Sequence, residues 1–347
     1  MKKTVALIFG GEGAERKISE ISAANLNSYI DRQTYDVLPI GIAPGGEWYI
    51  YYGDCEKIGN GEWFSEKEAL VPTFPVKLGE KSGFISGNEL ISVSSAIPCL
   101  HGNFGEDGVV QGALTLAHIS YIGQDVYASA MTSDKVYTKL AAKHLGIPQA
   151  DWILSTDKSA DGARIRAEAE LGYPLFIKPA RMGSSFGAHP VLTKSEFLTA
   201  YTDAIRYDER ILIERLVPFE YELECALLEV GEILVCPSGR VHSGGAFYDY
   251  EAKYCDTRSP RTSTEIRDWD FHGLEERISC YTRMLASLIG IKHLSRFDFF
   301  VTKNEEVYFN EINAFPGMTK TSLYPTLTEN FGLGKGEFIN RLIAEVC

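Results

Sequence analysis

Two short alternating runs near the C-terminal end, 296–302 (R-F-D-F-F-V-T) and 307–313 (V-Y-F-N-E-I-N), constrain this chain more than anything else in it. The polar Lys303-Asn304-Glu305-Glu306 joins them, a β-hairpin signature. With Asn304 and Glu305 as the loop, antiparallel pairing sets Asp298 opposite Glu311. The period of two then places Arg296, Asp298, Glu311 and Asn313 on one face. Facing carboxylates destabilise a sheet unless relieved, so the pattern asks for a cation, and oxygen-only side chains suit Mg²⁺ better than zinc. A solvated polar face on an edge hairpin is the plain alternative. The Pro316-Gly317 turn weighs against it, because it exposes backbone N–H groups beside the Arg296 guanidinium, as an anionic reaction would require.

The remainder of the chain narrows the class. At 347 residues it exceeds one ordinary core, which predicts two or three domains, and 45% hydrophobic residues support full folding. A net charge of −13 argues against a nucleic-acid or anionic-membrane partner. The seven cysteines are widely spaced and form no C-x-x-C pair, so neither a disulfide frame nor a zinc site is indicated and a reducing cytoplasm fits. Lys2-Lys3 and the apolar run after it resemble a secretion signal. The run stops at Gly10-Gly11, however, and Glu12, Glu15 and Arg16 follow, so it reads as a first strand. No stretch approaches the roughly 18 to 20 apolar residues a membrane span needs.

Taken in order, residues 4–9 form a strand that enters G-G-E-G-A-E (10–15) and then a helix, which is an α/β opening. The turn departs from a dinucleotide fingerprint, since Arg16 stands where a third small residue is needed. Residues 35–42 give a second strand, and 44–93 read as inserted hairpins without catalytic groups. The apolar run 95–100 delivers H-G-N-F-G-E-D-G (101–108) at a strand's carboxyl end, where open α/β sheets place their sites. Residues 128–145 read as one helix carrying Lys135 and Lys139. A strand then ends in Lys178, ahead of the small-residue loop R-M-G-S-S-F-G (181–187), whose N–H groups can wrap a phosphate. Residues 211–214 form a further strand, 215–220 a hinge, and 239–254 a long loop with four aromatics, a length that is usually functional. Helices are predicted over 269–289 and 338–346.

Six of these motifs, F-G-G-E-G-A-E-R-K-I-S (9–19), H-G-N-F-G-E-D-G (101–108), K-P-A-R-M-G-S-S-F-G (178–187), F-Y-D-Y-E-A-K-Y (247–254), R-F-D (296–298) and N-E-I-N-A-F-P-G-M-T-K-T-S-L (310–323), stand in an order that resembles the D-alanine–D-alanine ligases of the ATP-grasp superfamily. The resemblance implies an α/β, three-domain ATP-grasp architecture: an N-terminal open, Rossmann-like α/β domain over 1–123, a central domain over 124–214 with the phosphate loop, and a C-terminal domain over 215–347 with the metal site and a lid at 239–254. It implies ATP, two Mg²⁺ or Mn²⁺ ions, two D-alanine molecules, a homodimer, and a D-alanyl phosphate intermediate. By the same resemblance Glu15, Ser184 and Tyr254 form a substrate-orienting trio. Arg296 and Gly317 stabilise the oxyanion, and Ser322, His101, Glu106 and Leu323 line the amino-acid sites. Lys135, Lys178 and Lys253 meet phosphate, Glu214, Glu220 and Phe247 complete the nucleotide site, and Asp298, Glu311 and Asn313 hold metal. Gly13, where the family generally has Ser, and Met182, where it often has Glu, are departures.

The alternatives are a ligase that adds D-serine or D-lactate and a nucleotide-binding regulator without turnover. D-lactate ligases of this type generally lack the equivalent of Tyr254, and D-serine ligases tend to carry Arg at the equivalent of Leu323, so D-alanine is the expected second substrate. A regulator would be expected to have lost Lys178, Asp298, Glu311 or Asn313, and all four are present.

Overall fold

The computed structural model describes residues 2–241 and 273–347. Val5 to Phe9 are apolar without interruption because the strand Lys3–Gly10 lies between two parallel neighbours, Tyr35–Ile42 and Ser95–Pro98, and is covered on both faces. Gly10 ends it at φ 94°, and a Cβ there would lie 2.2 Å from the Ile42 carbonyl oxygen, so no larger residue fits the turn. The helix Arg16–Tyr29 then buries Ile18, Ser22 and Leu26 along one stripe.

Trp48–Tyr51 and Leu70–Pro72 extend this first sheet at its edge, since Ile50 and Tyr51 are apolar enough to be buried there. The expectation of separate hairpins over 44–93 therefore holds only for Pro75–Leu78, Lys81–Ser86 and Glu89–Ser92, which form their own three-stranded sheet. The single helix expected over 128–145 is also corrected. Asp134 takes an extended conformation, caps a new helix by accepting from the Val136 N–H, and is held by Arg210 at 2.9 Å. Two helices result, Val126–Ser133 and Lys135–His144, and the break aims Lys135 into the cleft described below.

A second, antiparallel sheet runs His189–Val191, Leu175–Pro179, Ile211–Arg215, Trp152–Ser155. Leu175, Ile177, Ile211 and Ile213 pack with the helices Ala160–Glu170 and Lys194–Ala204 on one face. Alternation turns Phe176, Lys178 and Glu214 to the other face. The third sheet runs Glu232–Val235, Phe219–Val230, Leu294–Thr302, Val307–Asn313, with Gly239–Val241 paired to Glu222–Glu224. The first three residues of the expected 239–254 loop are thus strand, and 242–254 lie outside the described residues. The helix Leu274–Ile289 covers this sheet's apolar face, and 269–272 of that predicted helix are likewise outside.

Two further helices close the chain, Lys335–Val346, which begins three residues earlier than expected, and Leu323–Asn330, which the sequence reading did not anticipate. Val5, Leu26 and Ile97 of the first sheet region share one apolar cluster with Leu228, Tyr324, Phe338 and Leu342, so the two ends of the chain are packed together. No helix among the described residues is long and apolar enough to cross a membrane.

Candidate active site

The hairpin places Arg296 opposite Asn313 and Asp298 opposite Glu311, as the sequence predicts, but by a different route. Val301 pairs with Val307 and the Thr302 N–H bonds the Glu306 carbonyl, so the loop is 303–305, with Glu305 at φ 60°. A two-residue loop at Asn304-Glu305 is therefore incorrect. A β-bulge restores the register: Asp298 pairs with Glu311 while Phe299 pairs with Phe309, leaving Asn310 as the extra residue. The cause is legible in parity. Val307 and Phe309 are core, and so is Ile312, so the apolar face switches from odd to even positions between them. Asn310 and Glu311 consequently both line the cleft.

The neighbouring strand adds a carboxylate that the sequence reading missed. Glu224 pairs with Asp298, giving a row Glu224, Asp298, Glu311 across three strands. Glu220, Glu222 and Glu224 all line the cleft while Leu223 and Cys225 are core, a period of two that signals this face. The repulsion is relieved from within the protein. Arg296 donates Nε to Asp298 Oδ1 and Nη2 to Asp298 Oδ2, both at 2.7 Å, and its Nε lies 2.9 Å from Glu224 Oε2. Lys135 stands 3.5 Å from Glu311. Burial opposes the Arg296 charge, yet Asp298 and Glu224 hold its pKa well above the usual arginine range.

The second sheet faces this row with Lys178, and the helix Lys135–His144 adds Lys139 beside it. Lys178 Nζ lies 2.7 Å from Glu214 Oε2 and donates to Asn310 Oδ1 at 3.2 Å, while Lys139 Nζ lies 2.5 Å from Glu214 Oε1. Glu214 is buried, which works against its charge, but the two lysines hold its pKa below the usual carboxylate range. Its side chain is thus engaged by Lys139 and Lys178, and Lys139, noted on its helix in the sequence without a site role, is a neighbour of the site.

Above the lysines, the 181–187 loop is bent by two successive left-handed residues, Ser184 at φ 49° and Ser185 at φ 61°. Arg181 anchors it to Asp208 at 2.5 Å, and Lys135 Nζ donates to the Met182 carbonyl at 2.7 Å. The Ser184 hydroxyl donates to Glu15, and a Cβ on Gly183 would come within 2.9 Å of the same carboxylate, so the loop closes directly on the first domain's turn. Together these elements enclose a cleft of about 640 Å³, within the range of small-molecule sites.

Of the predicted site residues, Lys135, Lys178, Ser184, Glu214, Glu220, Arg296, Asp298 and Glu311 line that cleft. Glu15 bonds Ser184, and Asn313 donates to Asp298 Oδ2 at 3.0 Å. Phe247, Lys253 and Tyr254 lie outside the described residues. The others do not line the cleft. Glu106 accepts from the Gly102 N–H at 2.9 Å and the Phe315 N–H at 3.2 Å. Burial first, and the charge of Glu15 second, raise its pKa to about 8. His101 is buried beside the Ser22 hydroxyl at 3.3 Å, and burial lowers its pKa to about 4, so it is neutral at physiological pH. Ser322 accepts from the Thr319 N–H at 3.0 Å, a Cβ on Gly317 would lie 2.9 Å from its Oγ, and Leu323 is buried at the start of its helix. At Gly13 a Cβ would meet nothing closer than 3.7 Å, so that departure from the family pattern leaves the turn unstrained.

Among the described residues no three His, Cys, Asp or Glu side chains group around a point where an ion could sit, so the Asn313 carboxamide has to complete any set built on Asp298 and Glu311. The donors fit. Arg296 and Asn313 engage three of the four lone pairs of the Asp298 carboxylate, leaving one on Oδ1 unclaimed among the described residues. Asn313 donates through nitrogen, which leaves its oxygen for a hard cation of the Mg²⁺ or Mn²⁺ type.

Comparison with known proteins gives the following. A family model described as D-ala D-ala ligase N-terminus matches residues 4–124, and one described as D-ala D-ala ligase C-terminus matches residues 141–344. The chain is 37% identical to the D-alanine–D-alanine ligase of Ruminiclostridium cellulolyticum, over 99% of this chain and 94% of that protein. It is 35% identical to that of Acetivibrio thermocellus, over 99% and 95%. Among solved structures, the VanG D-Ala:D-Ser ligase from Enterococcus faecalis superposes with a TM-score of 0.88 at 33% identity, covering 100% of both chains. The D-alanine–D-alanine ligase from Coxiella burnetii does so at 0.85 and 28%, covering 99% and 94%.

Proposed function

The chain belongs to the D-alanine–D-alanine ligase family and is an ATP-dependent ligase that forms a peptide bond, and we propose that the cleft described above is where it makes D-alanyl-D-alanine, the dipeptide used in peptidoglycan synthesis. The observation that carries this reading is convergence: Lys135, Lys178 and the serine loop face Arg296, Asp298 and Glu311 across one cleft.

The carboxylate of the first D-alanine attacks the terminal phosphorus of ATP, the P–O bond to ADP breaks, and D-alanyl phosphate forms. The amine of the second attacks the acyl carbon, the C–O bond to phosphate breaks, and the nitrogen loses a proton. Lys135 and Lys178 offset phosphate charge, while Arg296 and the Gly317 N–H stabilise the tetrahedral oxyanion, at about 3 kcal/mol per donor. Asp298, Glu311 and Asn313 would hold two divalent ions, which when bound screen the charge of the transferring group. Glu15, through Ser184, ties the phosphate loop to the amino-acid site, with Tyr254 as the third member. His101 and Glu106 back the first D-alanine, and Ser322 and Leu323 the second. Glu214, Glu220, Phe247 and Lys253 complete the nucleotide site. A lid following the strand Gly239–Val241, the division at 123 and 214, a homodimer and a cytoplasmic location belong to the same proposal.

The similarity to a D-Ala:D-Ser ligase favours one second reading, D-serine as acceptor. Leu323 offers no partner to a hydroxyl, and burying one unpaired costs on the order of 1–3 kcal/mol, roughly ten- to a hundredfold in preference. Enzyme given ATP, D-alanine and equal D-serine or D-lactate should release mainly D-alanyl-D-alanine, and Leu323→Arg should move product toward D-alanyl-D-serine. Dominance of D-alanyl-D-serine with the wild type would overturn the choice of acceptor.

A further inference from the structure

Residues 123 and 124 mark the proposed end of the first domain, and there a glutamine is buried against the hairpin that carries Arg296 and Asp298. Gln124 is 2% exposed. Its Nε2 stands 2.7 Å from the Leu294 carbonyl, 2.9 Å from that of Lys292, 3.1 Å from Ser295 Oγ and 3.2 Å from the Ala314 carbonyl. Its Oε1 accepts from the Lys292 N–H at 2.7 Å. These partners are the two ends of the hairpin, immediately outside the Arg296–Asn313 pair. The strand pairing ends at that point, where Ser295 Oγ also donates to the Ala314 carbonyl at 3.4 Å, and the carboxamide bridges the two segments.

The other end of this connection is the first sheet. The Ile122 N–H bonds the Ala96 carbonyl at 3.0 Å, so the backbone two residues before Gln124 is still fixed to Ser95–Pro98, the strand that leads into His101. Glu106 of the same loop takes the Phe315 N–H, next to the Ala314 carbonyl that Gln124 reaches. The peptide leaving the hairpin toward Gly317 is therefore gripped twice, by Glu106 of the first domain and by Gln124 at its boundary with the second. Only a carboxamide supplies both donors and an acceptor on one short group, and asparagine is one methylene too short to reach all these atoms.

We propose that Gln124 is a positioning residue for the ligation, setting the Arg296–Asp298 face and the Gly317 turn in register with the amino-acid site of the first domain. It is not among the residues that line the cleft. The inference rests on the functional reading above, and its effect falls on the D-alanine steps rather than on ATP, whose cleft lies between the second and third sheets.

The test compares wild type, Gln124→Asn and Gln124→Met by steady-state ADP release and by amide hydrogen exchange. In Gln124→Asn, kcat/KM for D-alanine should fall by up to about a hundredfold, the order that a misplacement near 1 Å produces, while KM for ATP stays within about twofold. Exchange at 294–298 and 314–317 should quicken while 175–179 and 211–215 stay as in wild type. A purely structural role would lower the melting temperature without splitting the two kinetic terms, and that result overturns the proposal. So does a folded Gln124→Asn with wild-type D-alanine kinetics and exchange. If Gln124→Met fails to fold, the asparagine variant decides. If wild type releases no ADP with D-alanine, the functional reading falls, and the exchange comparison still decides whether Gln124 holds the hairpin.

Discussion

Replacing Arg296 by Met tests the charge row at its centre. The guanidinium has a side chain 18% exposed and serves Asp298 and Glu224, whose side chains are 10% and 9% exposed. Met keeps the packed stem but removes two charge-assisted hydrogen bonds and one ion pair, leaving two adjacent carboxylates without their cation. Breaking a buried pair by deleting one partner costs about 3–5 kcal/mol, and at about 2–4 °C per kcal/mol in a domain of ordinary size the melting point should drop by about 6–20 °C. Turnover should fall by about a hundredfold or more if, as proposed, the same group stabilises the oxyanion. Arg296→Lys, which keeps charge without the two-pronged geometry, should fall between. Thermal melting with and without Mg²⁺, alongside ADP release, reads both effects. Mg²⁺ alone should recover more of the melting point in Arg296→Met than in wild type, since the vacated carboxylates offer it a better site. Arg296→Met that melts and turns over like wild type would refute the reasoning.

Three further outcomes follow from single side chains. Glu311→Gln should abolish ADP release while melting stays close to wild type, because the change removes a cation-holding charge yet relieves repulsion with Asp298; near-normal turnover would remove Glu311 from the metal set. Asn310→Leu should raise KM for ATP several-fold, because Lys178 loses its hydrogen bond to Asn310 Oδ1 and the bulge presents an apolar group to the cleft; unchanged ATP kinetics would make the bulge incidental. For pH, the buried neutral His101 has its pKa lowered from 6.5 to about 4, so the unfolded chain binds a proton in that window that the native state does not. Stability from this group is complete above pH 6.5 and is lost, by up to about 3 kcal/mol, as pH falls to 4. Glu106, with its pKa raised to about 8, has the opposite slope between pH 4.5 and 7, so in denaturant unfolding the His101 slope should show as the difference between wild type and His101→Asn rather than as the wild-type slope itself.

The unbroken apolar run Val5 to Phe9 and the alternation around Asp298 were legible, because each is a local pattern with one economical burial solution. The break at Asp134 was not, because it depends on Arg210, distant in sequence, holding the capping carboxylate. Asn310 lay in plain view. Its signal was the parity switch from Phe309 to Ile312, which the strict period-two reading passed over. Glu224 could be placed opposite Asp298 only once strand order was known, since nothing local in 219–230 says which strand lies beside it. The same holds for Gln124, an unremarkable residue in sequence whose partners lie some 170 positions away. Motif residues that bind through local backbone geometry are readable from the chain, and those that act by joining distant segments are not.

The most direct measurement follows the oxygen of the first substrate. D-Alanine carrying heavy oxygen in its carboxylate, incubated with enzyme, ATP and Mg²⁺, should yield D-alanyl-D-alanine and inorganic phosphate bearing one labelled oxygen per turnover, because the carboxylate oxygen that attacks phosphorus departs with it. Dipeptide formed with unlabelled phosphate, or phosphate released without dipeptide, would contradict a D-alanyl phosphate made and consumed in this cleft.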